Sequence, residues 1–173
     1  MSFYYQPQST EAPALGLLDT LEGYASEQGW NYRRDDRHEL IMQCQKRYCF
    51  YGLYFCWLAD KHILQFSCIP DLKIPAQART TVASLLNHMN NYLSIGYMGM
   101  DGTSGLLSYR YTSLLSQHDP AGSSYDMHPF GELIETALFQ CERFYPVLQM
   151  VIWGGLQPKE AMTALLLEPQ GHA

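Results

Sequence analysis

The segment from about Asp126 to Trp153 constrains the fold of this chain more than any other stretch. Its apolar residues recur with the 3.6-residue period of an α-helix. Beyond Phe144 the helix is apolar on nearly every side, and Gly154-Gly155 supply a C-terminal cap. Such a helix is stable only when other elements cover it, so we expect the chain to build its core around this segment.

Length and charge limit the possible classes of protein. A chain of 173 residues with a net charge of -6 fits one globular domain and argues against nucleic acid as a partner. The N-terminus lacks the basic region and apolar run of a signal peptide, and no apolar run reaches membrane-spanning length. Five cysteines without a Cys-x-x-Cys spacing form neither a zinc framework nor an even disulfide set. We therefore predict a disordered lead over residues 1–9, a single domain over 10–173, a cytoplasmic location and no membrane association.

Hydrophobic patterning predicts an α+β fold with the order α-ββββ-α-ββ-α-α. An alternating, aromatic region predicts a meander of four antiparallel strands, near Trp30–Arg34, His38–Cys44, Tyr48–Leu58 and His62–Ile69. Helical patterns lie on either side of it, at about Thr10–Gly29, Pro75–Leu93, the long segment and a short helix starting at Pro158. A hairpin, Tyr97–Met100 with Leu106–Leu114, precedes the long helix. We expect a twisted antiparallel sheet with the helices packed mainly on one face.

Turn positions predict which residues face the core. A two-residue turn at Lys46-Arg47 would pair Leu40 with Leu53, Met42 with Tyr51 and Cys44 with Cys49, and one at Asp60-Lys61 would pair Phe55 with Phe66. Both turns place the more apolar residues on one side of the sheet. The predicted core side contains Leu40, Met42, Leu53, Phe55, Trp57, Leu64 and Phe66. A three-residue loop with a bulge at Asp35-Asp36 would bring Trp30 and Tyr32 to the same side.

The opposite face of the sheet is the candidate partner-binding site. The third and fourth strands present apolar residues there, where a one-sided antiparallel sheet normally shows polar ones: Phe50, Tyr54, Cys56, Ile63 and Ile69. Contiguous aromatic residues on an exposed face are typical of protein–protein contacts. A homodimer and another protein or peptide are the possible occupants. Alternatively, the first helix or the N-terminal FYY segment covers this face within one chain.

No set of residues predicts catalysis. The loop residues His118, Asp119, Asp126 and His128 include metal-ligand types without a spacing that fixes their geometry. DGTSG at 101–105 lacks the lysine of a phosphate-binding loop and favours a hairpin turn. Glu132, Glu135 and Glu142 recur on one helix face, which we interpret as solubilising surface. We predict no catalytic, cofactor-binding or metal-binding residues.

An alternative function would use a pocket between the sheet and the C-terminal helix. Tyr51, Cys68, His88 and Tyr145 could reach such a pocket. A polar cavity there would indicate a small ligand-binding domain or an enzyme.

The C-terminal part of the chain resembles a known family. CERFYPVLQMVIWGG and QPKEAMTALLLEP are similar to the C-terminal signature of YbjN-type proteins, described as bacterial sensory transduction regulators. W-x-Y after the first helix, YCFYGLYFCW and LQFSC also resemble the family, so the likeness runs from about Leu15 to Glu168. It implies a fold like that of type III secretion chaperones and no established catalytic residues. The resemblance therefore favours a non-catalytic protein-binding or regulatory domain, chaperone-like and linked to bacterial sensory or stress regulation.

Overall fold

The elements follow one another in the predicted order. The computed structural model describes residues 12–35, 38–114 and 128–167, except for the side chains of 12–15, 59 and 128–129. The helices are α1 (Ala12–Glu27), α2 (Arg79–Asn90, after a 3-10 turn at Ala76–Ala78), α3 (His128–Ile152) and α4 (Pro158–Leu167). The strands are β1 (Asn31–Asp35), β2 (Glu39–Gln45), β3 (Phe50–Leu58), β4 (Ile63–Pro70), β5 (Tyr97–Met100) and β6 (Leu107–Leu114). The predicted α+β fold is confirmed.

All six strands form one antiparallel sheet with the order β1-β2-β3-β4-β6-β5. The first four strands form the predicted meander, because each is joined to the next by a short connection. Helix α2 then carries the chain to a hairpin whose second strand pairs with β4, as in Ser67 opposite Arg110. Strands β1 and β5 are therefore the two edges of the sheet.

The predicted register is confirmed for one hairpin and wrong by two residues for the other. Phe55 lies opposite Phe66 as predicted, although a 3-10 turn lengthens the β3–β4 connection. In the β2–β3 hairpin Cys44 lies opposite Tyr51 instead of Cys49. The reason is a four-residue connection, closed by a 3.2 Å hydrogen bond from the Lys46 amide to the Cys49 carbonyl. Side chains alternate with a period of two, so a shift by two leaves every residue on its predicted face.

The helices cover one face of the sheet, which we call the inner face. All seven residues predicted on the core side are buried there, and they form a continuous cluster with side chains of all four helices. Helix α1 packs on β1 and β2, and α3 packs on β4 with α2 and α4 beside it. Phe144 is fully buried, as expected for the long helix. Leu156 donates to the carbonyl of Met150 while Gly155 adopts a φ of +68°, which is the predicted glycine cap.

Strand β1 departs from the prediction in one respect. The loop between Asp35 and Glu39 has the predicted three residues, and His38 ends it with a φ of +60°, typical of such hairpins. Trp30 packs against the core, but Tyr32 is 44% exposed. Tyr32 pairs with buried Met42 and so lies on the inner face. It is exposed because β1 is an edge strand, with no further strand beside it in the described part of the chain.

Candidate functional site

The five predicted partner-binding residues all lie on the face of the sheet opposite the helices, which we call the outer face. Phe50 is 47% exposed and Tyr54 is 41% exposed, whereas Cys56, Ile63 and Ile69 are half-buried. Helix α1, one of the two segments proposed as an alternative cover, packs on the inner face with Leu17, Leu18 and Leu21 in the core. The other segment, FYY, lies outside the described residues.

The structure groups three of the five residues in one groove. Phe50, Tyr54 and Ile69 line a groove of about 440 Å³ on the outer face. Cys56 and Ile63 lie farther along the same strands, opposite Gln65 and Leu114 respectively. The remaining lining residues are Gln43, Gly52, Pro70, Asp71, Leu72, Lys73 and Leu106.

Gly52 shapes the floor of this groove. The ring of Tyr54 lies over it, so that a Cβ at position 52 would come within 2.7 Å of Cε2 of Tyr54. The missing side chain lets the ring lie flat along the strand, where it exposes one apolar face. Ile69 lies directly opposite Gly52 on β4. The aromatic ring and the aliphatic side chain therefore border the same depression.

Sequence reasoning missed one wall of the groove. Leu106, which is 42% exposed, and Lys73 come from connecting segments that meet in an isolated β-bridge. Strand alternation says nothing about such segments. The wall adds an exposed ammonium group to a groove that already contains the polar side chains of Gln43 and Asp71 beside its aromatic and aliphatic ones.

The outer-face thiol does not have the environment of a reactive cysteine. Burial, and then the nearby Glu39 carboxylate, raise the pKa of Cys56 above its ordinary value. Its Sγ lies 4.0 Å from Oε1 of Glu39. A thiol held in its protonated form can pack against a partner, but it is a poor nucleophile.

Glu142 was interpreted as solubilising surface, and this interpretation is wrong. Its carboxylate accepts hydrogen bonds from the Tyr51 hydroxyl at 2.6 Å and from the backbone amides of Arg47 at 3.2 Å and Tyr48 at 3.4 Å. Burial, and then this hydrogen bond to Glu142, raise the pKa of Tyr51 above its ordinary value. Glu142 thus attaches α3 to the β2–β3 connection, because the helix approaches the sheet at that point.

Three of the four residues predicted for an alternative pocket between the sheet and α3 pack against other side chains. Cys68 is fully buried, with its Sγ 3.8 Å from Sγ of Cys141. Tyr145 stacks on Tyr48 with ring centroids 5.0 Å apart. His88 lies half-buried in the last turn of α2. Tyr51 and Cys68 serve as packing and hydrogen-bonding groups of the core.

The other chemical candidates have structural roles or lie outside the described residues. The DGTSG stretch is the predicted hairpin turn, in which the Asp101 carboxylate accepts from the Ser104 amide at 2.6 Å, and backbone hydrogen bonds lower the pKa of Asp101. Burial raises the pKa of Cys44 to about 11. Among the described residues, no group of three or more His, Cys, Asp and Glu side chains is placed to hold a metal ion. The loop of His118, Asp119 and Asp126 and the side chain of His128 lie outside that part.

Within the described ranges, no helix has both the length and the apolar character needed to cross a membrane.

Comparison with known proteins gives a family. The sequence model of the YbjN family, described as "Putative bacterial sensory transduction regulator", matches residues 17–150. The crystal structure of YbjN from E. coli, described as "a putative transcription regulator", matches with a TM-score of 0.48 and 13% identity. That match covers 71% of this chain and 84% of the E. coli chain. No curated protein matches the sequence.

Proposed function

The chain belongs to the YbjN family, and on this premise we propose that it is a non-catalytic regulatory domain that acts by binding protein through its outer face. In this proposal residues 10–173 form one domain in the cytoplasm, with a chaperone-like mode of binding linked to bacterial sensory or stress regulation. The five cysteines are free thiols, which suits a reducing compartment.

The observation that carries the proposal is the pair of exposed aromatic side chains on the outer face. Phe50 and Tyr54 are each more than two-fifths exposed, and they border the groove together with Ile69. Removing apolar surface from water stabilises a complex by roughly 25 cal/mol per Å². Phe and Tyr supply that surface with few rotors to freeze, so they suit the centre of an interface.

We favour a second copy of the chain as the occupant. A two-fold interface uses the same patch on both subunits, so one apolar patch on each copy is enough to form it. The outer face offers one such patch over β3 and β4, which includes Cys56 and Ile63 beyond the groove.

A ligand-binding domain or enzyme with a pocket between sheet and helix is the less favoured function. At that position Tyr51 donates to Glu142, and Cys68 packs against Cys141. Because each of these side chains already contacts a neighbour, we assign them to packing and not to ligand binding.

The test is a pair of charge substitutions on the outer face. We expect Phe50→Asp and Tyr54→Asp to preserve the circular dichroism spectrum and to shift the species seen by light scattering from dimer to monomer. Phe139→Asp is the matched control, because Phe139 is 56% exposed on α3 and lies away from the sheet. It should leave the dimer unchanged.

A wild-type protein that is monomeric at high concentration, with the Phe50 ring protected from solvent, would contradict the homodimer. Such protection would show that the chain covers its own outer face. Equal effects of Phe50→Asp and Phe139→Asp would place the interface elsewhere.

A further inference from the structure

We propose that Cys68 and Cys141 are a redox pair, which hydrogen peroxide oxidises to a disulfide between β4 and α3 and which thiols reduce again. The inference concerns the core and not the outer face, so it does not depend on the proposed dimer. A disulfide that forms in a reducing compartment is usually transient and serves catalysis or redox sensing. All five cysteines of the chain are free thiols, so the pair is in its reduced state here.

The two sulfur atoms already face each other in the core. Sγ of Cys141 lies 3.8 Å from Sγ of Cys68, and both side chains are at most 2% exposed. Cys68 belongs to the inner face, opposite the buried residues Leu53 and Tyr109, and α3 packs on its strand. A disulfide bond is about 2.0 Å long, so the sulfurs must approach by roughly 1.8 Å. Rotation of both side chains about their Cα–Cβ bonds can supply that approach.

The other three cysteines are placed less favourably for reaction with this pair. Cys44 lies on β2, with β3 between it and β4, and Cys56 lies on the outer face opposite Gln65. Cys49 lies in the β2–β3 connection, where its thiol hydrogen-bonds with the hydroxyl of Tyr51. The fold therefore favours one disulfide, the one that joins α3 to the sheet.

Helix α3 has a weak point beside Cys141. Pro146 lies inside the helix and has no amide hydrogen, so the carbonyl of Glu142 lacks its usual helical donor. Local opening of such a segment requires less free energy than unfolding of the whole domain. Opening at this turn would admit hydrogen peroxide, a small uncharged molecule, to the sulfur of Cys141.

The oxidation takes two steps. The thiolate of Cys141 attacks one oxygen of hydrogen peroxide, the O–O bond breaks, and a sulfenic acid forms while the departing hydroxide takes up the thiol proton as water. The sulfur of Cys68 then attacks the sulfenic sulfur, the S–O bond breaks, and hydroxide leaves with the Cys68 proton as a second water. The hydrogen bond with Cys141, and then burial, raise the pKa of Cys68 well above its ordinary value, so Cys68 acts second.

The bond would fix α3 on the sheet. It would join residues 73 positions apart in the sequence, and a cross-link that closes a long loop restricts the unfolded chain strongly. It would also suppress the local opening beside Pro146. The oxidised domain should therefore unfold at a higher urea concentration than the reduced one. In this way peroxide would control the stability of α3.

Thiol mapping of the full chain tests the proposal. The folded protein is treated with hydrogen peroxide, the peroxide is removed with catalase, and the remaining thiols are alkylated after denaturation. We expect the five thiols to fall to three, and mass spectrometry to find the tryptic peptides of Cys68 and Cys141 joined. The urea midpoint should rise in the oxidised protein and return after treatment with dithiothreitol.

Two variants and the wild type give the decisive comparison. Cys44→Ala is the matched control, because Cys44 is a buried cysteine on the same face, and it should leave the joined peptides in place. Cys141→Ala should abolish them and the rise in midpoint, with a circular dichroism spectrum like that of the wild type.

Three results would each overturn the proposal: a treated wild type in which the two peptides are not joined, an equally frequent disulfide between other cysteines, and a Cys68–Cys141 bond that leaves the midpoint unchanged. All three are measured on the wild type, so they decide the question even if a variant fails to fold.

Discussion

Removing the Glu142 carboxylate should destabilise the protein far more than its place on a helix surface suggests. Glu142 joins α3 to the connection between β2 and β3, two elements that are distant in sequence. The short contact is the hydrogen bond of 2.6 Å from the hydroxyl of Tyr51, whose side chain is fully buried. The amides of Arg47 and Tyr48 make the longer contacts of 3.2 Å and 3.4 Å.

The expected cost follows from what each donor loses. A hydrogen bond to a charged group contributes about 1.5–3 kcal/mol, and an orphaned buried donor costs about 1–3 kcal/mol. Glu142→Ala would deprive the Tyr51 hydroxyl of its carboxylate acceptor and leave it only the weak contact with the Cys49 thiol, but it would leave the amides of the connection within reach of water. We therefore expect Glu142→Ala to lower the free energy of unfolding by about 2–4 kcal/mol. Glu142→Gln, which keeps an acceptor oxygen, should cost about 1–2 kcal/mol.

Urea denaturation gives the measurement, and a double-mutant cycle isolates the pair. Glu142→Gln combined with Tyr51→Phe should show a coupling energy of about 1–2 kcal/mol, as residues in one hydrogen-bond network do. Glu135→Gln is the matched control, because Glu135 is an exposed glutamate of α3 in a 3.7 Å ion pair with Lys46. Its cost should stay below about 1 kcal/mol. Equal costs at 135 and 142, or additive effects of Glu142→Gln and Tyr51→Phe, would refute the reasoning.

Three further predictions test the core, its thiols and the β5 edge of the sheet. Phe144→Ala should cost about 3–5 kcal/mol in chemical denaturation because the ring is fully buried, while Phe139→Ala on the exposed side of α3 should cost at most about 0.5 kcal/mol. Burial raises the pKa of Cys44 from 9.0 to about 11, so the unfolded state loses its proton first and the free energy of unfolding should fall between pH 9 and 11. Cys44→Ala should reduce that slope without abolishing it, because the pKa values of Cys49 and Cys56 are raised as well, and an unchanged slope would show that Cys44 does not contribute. The Asn90 side chain hydrogen-bonds the amide and the carbonyl of Met98 on the β5 edge, so Asn90→Ala should lower the free energy of unfolding by about 1–2 kcal/mol and uncover these backbone groups. Aggregation measured by light scattering should therefore increase. Equal aggregation of the variant and the wild type would show that Asn90 does not protect the edge.

The faces of the sheet could be predicted from the sequence because strand alternation tolerates certain errors. The β2–β3 connection has four residues and the predicted turn had two, yet Leu40, Met42 and Leu53 remain on the inner face. Only an odd shift would have exchanged the faces. In the same way the 3.6-residue period identified α3, although its exact beginning lies at the limit of the described residues. Periodicity therefore predicts which face of an element a residue lies on, but it does not predict the length of a connecting loop.

Contacts between distant elements could not be predicted in this way. Helical periodicity places Glu142 on a polar stripe, and it cannot reveal that the β2–β3 connection lies against that stripe. The wall of the outer groove formed by Lys73 and Leu106 depends on the meeting of two connecting segments, which have no period. Likewise the exposure of Tyr32 follows from the position of β1 at the edge of the sheet. The alternation of apolar and polar residues does not reveal which strand lies at an edge.

The fold leaves two surfaces of the sheet available, and they differ in physical character. The outer face over β3 and β4 is aromatic and aliphatic, so water exclusion dominates there and the interaction should depend little on salt. The β1 edge carries the exposed side chains of Arg33 and Asp35 on its outer face, so contacts made there should weaken as ionic strength rises. The row Arg33–Ile41–Tyr54 runs across β1, β2 and β3 on the outer face, so only β2 lies between the two surfaces. The salt dependence of each binding event, measured on the same protein, would assign it to one surface or the other.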